Sequence, residues 1–251
     1  SGTALSGAIT LTDDTTSAIH IKVTDAAGND GTAVTQAYTH DDTAPTITYT
    51  TGIGISADTG TSSSDFNTKT AAQTLTATLS AAIEADDILQ TSVNAGSSWA
   101  NDDHATGDGT ALSTAITLSG TSSIHIRIKD DAGNIGTATT QAYILDTTAP
   151  TQTYSSIDIS ADTGDSDTDW DTATAAQTLT ATLSAAIASD DILQTSIDDG
   201  SNWVNDDHNT AAGTALSTAI TLVGSSTIHI RITDDAGNSG TATTQAYTLD
   251  T

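Results

Sequence analysis

The residues here with the types and spacing to do chemistry are carboxylates. The chain carries 32 Asp and Glu against 5 Lys and Arg in 251 residues, a formal net charge of −27. They gather in short stretches. Asp162-Thr163-Gly164-Asp165-Ser166-Asp167-Thr168-Asp169 alternates acids with small residues, and a sparser version runs from Asp58 to Asp65. Paired acids stand at Asp86-Asp87 and Asp190-Asp191. A third pattern reads Asp130-Asp131-Ala132-Gly133-Asn134 and Asp234-Asp235-Ala236-Gly237-Asn238, with Asp25-Ala26-Ala27-Gly28-Asn29 upstream. Asp25, Asp130 and Asp234 thus share one position. Closely set hard oxygen donors are the ligands of Ca²⁺. Several carboxylates within a few ångströms repel strongly unless a cation sits among them.

Each acid also has a plainer reading. Asp-Ala-Gly-Asn is ordinary turn composition, with Gly133 or Asn134 supplying positive φ and Asp130 accepting from nearby backbone N–H groups. No loop follows the twelve-residue EF-hand pattern, so turn chemistry and metal ligation both stay open for any single Asp. Asn101-Asp102-Asp103-His104 and Asn205-Asp206-Asp207-His208 mix carboxylate with imidazole, a set that suits a transition metal. A solvated loop is the simpler expectation there. Trp99 and Trp203 are expected to pack the core rather than stack a sugar. His125, His229, Arg127 and Arg231 read as outward strand decoration. The sequence contains no nucleophile–base spacing and no phosphate-binding glycine loop, so no enzyme is expected.

An internal repeat positions these stretches. Asp41-Asp42-Thr43-Ala44-Pro45 returns as Asp146-Thr147-Thr148-Ala149-Pro150, and the chain ends on Asp250-Thr251. Pro45 to Pro150 is 105 residues, Asp146 to Asp250 is 104, and Trp99 to Trp203 is 104. A period of about 100 residues is domain-sized, unlike a solenoid rung that needs neighbours to fold. The expected division is the end of a preceding repeat over residues 1–40, a whole repeat over 41–145 and another over 146–251.

Apolar residues alternate with a period of two. Leu75, Ala77 and Leu79 face one way with threonines opposite. Ile124, Ile126 and Ile128 alternate with His125, Arg127 and Lys129. Threonine suits the solvated face of an antiparallel strand. Strands are expected at Thr46–Thr50 (A), Ala71–Ser80 (B), Asp87–Val93 (C), near Trp99 (D), Leu112–Leu118 (E), Ser123–Lys129 (F) and Thr137–Leu145 (G). In G, Ala142 and Tyr143 compete for the inward position. The first 40 residues supply only E to G, at Ala4–Leu11, Ala18–Val23 and Thr32–Thr39. That part is expected to be disordered or covered by another chain, an intermolecular contact. Seven short strands between turns read as an immunoglobulin-like β-sandwich, repeated end to end. In such a sandwich the A–B loop of one repeat faces the B–C and F–G turns of the next, with the linker between. Asp58, Asp65, Asp146, Asp191, Asp234 and Asn238 are therefore expected to meet at the joint.

Composition closes other routes. Charge this acidic excludes nucleic acid, whose phosphates need Lys and Arg, and anionic membrane surfaces. There is no cysteine for disulfides or thiolate metal sites, and no apolar run approaches a membrane span.

Asp-Thr-Thr-Ala-Pro, Ser-Ala-Asp-Thr-Gly, Ala-Ala-Gln-Thr-Leu-Thr-Ala-Thr-Leu-Ser and Asp-Ala-Gly-Asn-x-Gly occur in that order. In this the chain resembles the immunoglobulin-like extender repeats of giant RTX-type bacterial adhesins, including ice-binding adhesins of marine bacteria. The resemblance implies extracellular arrays on a bacterial surface with Ca²⁺ in linkers and within domains. Carried over, it implicates Asp41, Asp146 and Asp250 in linkers. It implicates Asp58, Asp65, Asp162 and Asp169 in A–B loops, and Asp25, Asp130 and Asp234 in F–G turns. Asp87, Asn134, Asp191 and Asn238 complete the candidate ligand set. Asp42 in place of Thr147, and Thr61–Ser63 against Asp165–Asp167, depart from strict repetition. The expected function is a calcium-rigidified spacer that projects a distal adhesive domain and contacts neighbouring repeats of its own chain. The alternative is a glycan- or protein-binding adhesion module, which needs exposed aromatics such as Trp170.

Overall fold

The computed structural model describes residues 4–12, 15–208 and 213–251. The described residues are all β, apart from a 3-10 turn at Thr106–Asp108. A hairpin comes first, β1 (Thr15–Ile21) against β2 (Val34–His40), antiparallel with Ala18 opposite Ala37. Next come β3 (Tyr49–Ile55), β4 (Asn67–Thr68), β5 (Ala72–Leu79), β6 (Ile88–Ser92), β7 (Ala100–Asn101), β8 (Ala111–Thr117), β9 (Thr121–Lys129) and β10 (Thr139–Leu145). The set then recurs. It runs β11 (Tyr154–Ile159), β12 (Asp171–Thr172), β13 (Ala176–Leu183), β14 (Ile192–Ser196), β15 (Val204–Asn205), β16 (Ala215–Thr221), β17 (Ser226–Thr233) and β18 (Thr243–Leu249).

Each repeat forms a three-stranded and a five-stranded sheet, ordered β3-β5-β8 and β4-β10-β9-β6-β7, then β11-β13-β16 and β12-β18-β17-β14-β15. By chain compactness there are two units. One is Ser1–Gly54, Leu75–Thr114 and Ser123–Gln141; the other is Ile55–Thr74, Ala115–Ser122 and Ala142–Thr251. The second unit thus holds three segments of the first repeat, residues 55–74, 115–122 and 142–145, together with the whole second repeat.

Alternation becomes burial in both repeats. Leu75, Leu79, Ile124, Ile126 and Ile128 are at most 2% exposed, as are Leu179, Leu183, Ile228, Ile230 and Ile232. Each such side chain contributes about 1.5–3 kcal/mol on leaving water. Ile228, Ile230 and Ile232 pack with Leu179, Leu193, Leu216 and Tyr247 in the core of the second unit. Tyr143 takes the inward position over Ala142, and its hydroxyl donates to Ser119 O at 3.2 Å.

Several sequence expectations need correction. Strand A lies at Tyr49–Ile55 rather than Thr46–Thr50, because residues 41–47 are held as a linker. The two-residue strands β4 and β12 raise the count from seven to eight per repeat. Each pairs in parallel with the last strand, Asn67 with Ile144 and Asp171 with Thr248. Ala4–Leu11 is not a strand. Its counterparts β8 and β16 lie beside β5 and β13, and no strand lies alongside residues 4–11 among the described residues. Ile21, Val23 and Val34 of the hairpin region are correspondingly exposed.

The tryptophans exchange roles. Trp99 and Trp203 do not enter the core; they lie half-buried under Arg127 and Arg231, each guanidinium 3.7 Å from the ring centroid. His125 and His229 meet the same rings edge-on. These outward residues are therefore a clamp on the ring rather than free decoration, a cation–π contact of about 0.5–2 kcal/mol. Trp170, a candidate exposed aromatic for the binding alternative, is buried at 8%, in the position that Phe66 fills in the first repeat. His104 and His208 are also buried, each ring beside a glycine carbonyl at 3.3 Å, where a solvated loop was expected.

Candidate functional site

The turn Asp-x-Ala-Gly-Asn forms the same device three times. Asp25 Oδ1 accepts from the N–H groups of Ala27 and Asn29, while Oδ2 accepts from Asn29 Nδ2. Asp130 does this with Gly133 and Asn134, and Asp234 with Asn238. Gly28, Gly133 and Gly237 have φ of 90°, 103° and 90°, the region that favours glycine. The carboxylate thus closes the turn and orients the Asn side chain.

That side chain captures the linker. Asn134 Nδ2 donates to Asp41 O at 3.1 Å, and Asn238 Nδ2 donates to Asp146 O at 2.9 Å. Two residues on, the second glycine of the motif admits the linker proline. A Cβ on Gly136 would stand 2.8 Å from Pro45 O, and one on Gly240 would stand 2.6 Å from Pro150 O. The linker aspartates fold back on themselves, Asp41 Oδ1 accepting from Thr43 N–H and Asp146 Oδ1 from Thr148 N–H. Asp146 N–H in turn donates to Thr68 O, as Asp250 N–H does to Thr172 O. Asp-Ala-Gly-Asn-x-Gly is therefore a linker dock.

The A–B loops are closed by their own acids. Asp58 Oδ2 accepts from Phe66 N–H at 3.0 Å, and Asp162 Oδ2 accepts from Trp170 N–H at 2.9 Å. These aromatics sit at φ of 63° and 66°, a strained geometry for a bulky residue, held by the loop around them. Asp65 and Asp169 cap the next backbone N–H groups, those of Asn67 and Asp171. In both loops the remaining oxygen, Asp58 Oδ1 and Asp162 Oδ1, is buried without a hydrogen-bond partner.

Within the second unit, the first repeat's A–B loop is bonded to the second repeat's turn. Thr59 Oγ1 donates to Ala236 O at 2.7 Å, Thr61 N–H to Asp235 O at 3.3 Å and Lys69 Nζ to Gly237 O at 2.6 Å. The Asp235 carboxylate accepts from Thr61 Oγ1 and, at 2.7 Å, from Asn67 Nδ2. Gly60 makes the approach possible. It has φ of 119°, and a Cβ there would fall inside the carbonyl oxygen of Asp235. A Cβ on Gly237 would likewise stand 3.1 Å from Gly60 N. Composition predicted repulsion at this joint; Lys69, Asn67, Asp235 and Gly60 carry it instead, and sequence reading did not single them out. Their signal was faint: two donor side chains, Asn67 and Lys69, following the acid Asp65 in the loop.

Of the residues expected to meet at the joint, the structure brings Asp146, Asp191, Asp234 and Asn238 together. Asp58 and Asp65 face each other in their own loop. Desolvation, with charge from Asp234, Asp190 and Asp146, pushes the Asp191 carboxyl above the usual range. Asp87 is raised the same way, by desolvation and by Glu84, Asp130 and Asp41. A cleft of about 480 Å³ opens among Asp41, Glu84, Asp86, Asp87, Asp130 and Asp131. Asp58 is also raised, by desolvation first and Asp65 second. Asp130 is lowered: burial pushes it up, but bonds from Asn134 and Gly133 outweigh that. Asp25 is lowered by its Asn29 bonds, and Asp198 falls to about 2 through Asn202. Among the described residues, no group of three or more His, Cys, Asp or Glu is arranged to hold a metal.

These directions fix a pH response. A carboxyl raised in the folded state destabilises it when charged, so stability returns as pH falls through the raised value toward 3.8. A lowered carboxyl stabilises the fold above 3.8 and loses that contribution as pH falls below it. In calcium-free buffer, the melting temperature is expected to rise as pH falls from 7 toward 3.8 and to fall below it. A monotonic decline from pH 7 downward would contradict the raised group.

No family model matches the chain, and no curated protein matches it. Among solved structures it is similar to fibronectin(III)-like modules of Clostridium thermocellum CbhA, at 11% identity and a TM-score of 0.44, over 79% of this chain and 94% of that one. It is also similar to a tetra-tandem repeat in the extending region of a large adhesion protein, at 18% identity and a TM-score of 0.27. That match covers 93% of this chain and 56% of the other. A third similarity, at 13% identity and a TM-score of 0.23, is to the BSP domain of a biofilm associated protein, over 73% of this chain and 28% of that one.

Proposed function

We propose that this chain is a spacer segment of a bacterial surface adhesin, whose repeats hold a distal adhesive domain away from the cell and are rigidified by extracellular Ca²⁺. The observation that carries the mechanical part is the turn at Asp234–Asn238. The linker and the preceding repeat's loop are both bonded to it, so successive repeats are stitched at one point. Pro150 stiffens the exit of a linker that is too short to free them.

The calcium part is supported by donors left over after the internal bonds are counted. Asp58 Oδ1 and Asp162 Oδ1 are buried without a partner, each beside a second acid. Asp87 and Asp191 sit among like charges that a cation would relieve. Ca²⁺ takes six to eight such hard oxygens, and water completes a partly protein-built shell. The net charge of −27 adds a general attraction for cations. Asp58, Asp65, Asp162 and Asp169 would hold ions in the A–B loops. At the linkers no three acids among the described residues converge as they stand, so an ion there would have to draw Asp41, Asp87 and Asp130 together, and likewise Asp146, Asp191 and Asp234. The glycan-binding alternative has less to rest on, since Trp170 is buried and Arg caps Trp99 and Trp203.

Calcium titration of the chelated chain, followed by thermal melting and small-angle scattering, tests the reading. Each site is expected to add about 2.7 kcal/mol at a hundredfold excess over Kd. The scattering profile should shift toward a longer, stiffer particle. An unchanged melting temperature and unchanged dimensions in chelator and calcium would remove the calcium part.

A further inference from the structure

In the observed loop–turn contact, every loop group donates and every turn group accepts. The donors to the acidic side chain are Thr61 and Asn67, and Lys69 adds a positive charge beside it. The turn residue that receives them is Asp235. Docking covers the turn: Ala236 is 1% exposed, whereas its counterpart Ala132 in the first repeat's turn is exposed.

Both halves of this contact change elsewhere in the chain, and they change oppositely. In the second repeat's loop the positions of Thr61, Asn67 and Lys69 hold Asp165, Asp171 and Ala173, while Thr163 and Gly164 keep those of Thr59 and Gly60. Asp165 and Asp171 are exposed. The residue types of the socket are retained, although Gly164 does not take the positive φ of Gly60, and the side chains around it now repel an acid. In the turns, the position of Asp235 is acidic again at Asp131 but neutral at Ala26. Like charges placed directly opposite cost stability, and mismatch of this kind is how one partner is rejected in favour of another.

We propose that the loop–turn contact is a pairing code, and that the acidic loop over residues 163–173 is the socket for another repeat of this kind whose turn reads Asp-Ala-Ala-Gly-Asn, as residues 25–29 do. A donor-bearing loop selects a turn with Asp; an acid-bearing loop selects a turn with Ala. The order of repeats would then be written in three loop positions and one turn position, independently of any bound ion.

The joint already present in the chain allows the test. T61D/N67D/K69A gives the first loop the chemistry of the second, and D235A gives the turn the chemistry of residues 25–29. Hydrogen exchange at the Thr61 amide, which donates to Asp235 O, reads the docked state in all four combinations, in chelator. The triple variant alone is expected to lose tenfold or more in protection, and D235A alone severalfold. The quadruple variant is expected to recover most of what the triple lost. Losses that add, leaving the quadruple variant no better than the triple, would overturn the code. So would restoration of the triple variant by calcium alone with Asp235 retained, because the acidic loop would then be an ion bridge to an acidic turn. Neither result bears on whether calcium stabilises the unsubstituted chain, so the two proposals can fail separately.

Discussion

Gly60→Ala is expected to open the loop–turn contact and to cost on the order of 3 kcal/mol in chelator. Two effects act on the same atom. Positive φ at this residue strains any side chain by about 1–3 kcal/mol. A methyl group there also overlaps the Asp235 carbonyl, which is backbone and cannot swing aside. The chain relieves both by separating loop from turn, so the loss is bounded by what docking contributes. Five hydrogen bonds at a net 0.5–1.5 kcal/mol each, discounted for non-additivity, set that bound. Denaturant unfolding measures the loss, and hydrogen exchange at Thr61 locates it. Gly107→Ala is the control: its φ is ordinary and nothing lies near its added Cβ, so it should be silent. A Gly60→Ala chain as stable and as protected as the unsubstituted one would mean that the contact contributes nothing to the fold.

What the sequence made legible follows from range. The alternation in Gln73–Leu79 and Ser123–Lys129 specifies both strand and inward face locally, and the burial of Ile124, Ile126 and Ile128 agrees with it. Ala4–Leu11 alternates as well, but a strand also needs a neighbour to bond with, which alternation cannot supply. Strand A was misplaced because Thr46–Thr50 has strand composition while its backbone is part of the linker docked on Gly136. Trp99 was misread because size argues for the core, whereas Arg127, between buried Ile126 and Ile128, offers a flat cation on the outer face. At the site, repetition located every acidic loop. It did not say what each oxygen does, since turn closure and ion binding ask for the same Asp. The stitch between repeats was hidden for a different reason: Lys69 and Asn67 have no counterpart in the second repeat, where Ala173 and Asp171 stand, and repetition points only to what recurs.

Asp234→Ala is expected to cost about 3–4 kcal/mol in chelator, and more with calcium present, where a linker ligand is lost as well. Asp234 is 8% exposed and accepts from Asn238 N–H at 2.7 Å and Asn238 Nδ2 at 2.9 Å. Hydrogen bonds to a charged acceptor contribute about 1.5–3 kcal/mol each, and the donors left behind are half-buried. The released Asn238 amide also loses its aim at Asp146 O, so the linker comes free of the turn. Asp234→Asn should recover part of the loss, since its carbonyl can still accept from the backbone N–H while its amide opposes the Asn238 amide. An acid whose only role is ion ligation behaves otherwise. Without calcium, its removal would be silent or favourable, because it would relieve the repulsion felt by Asp191. Unfolding in chelator therefore separates the roles: a large loss there makes Asp234 the closure of the linker dock first, whatever ion it also meets. A stabilised Asp234→Ala chain in chelator would reverse that order and leave the turn's geometry to Gly237 and the backbone alone.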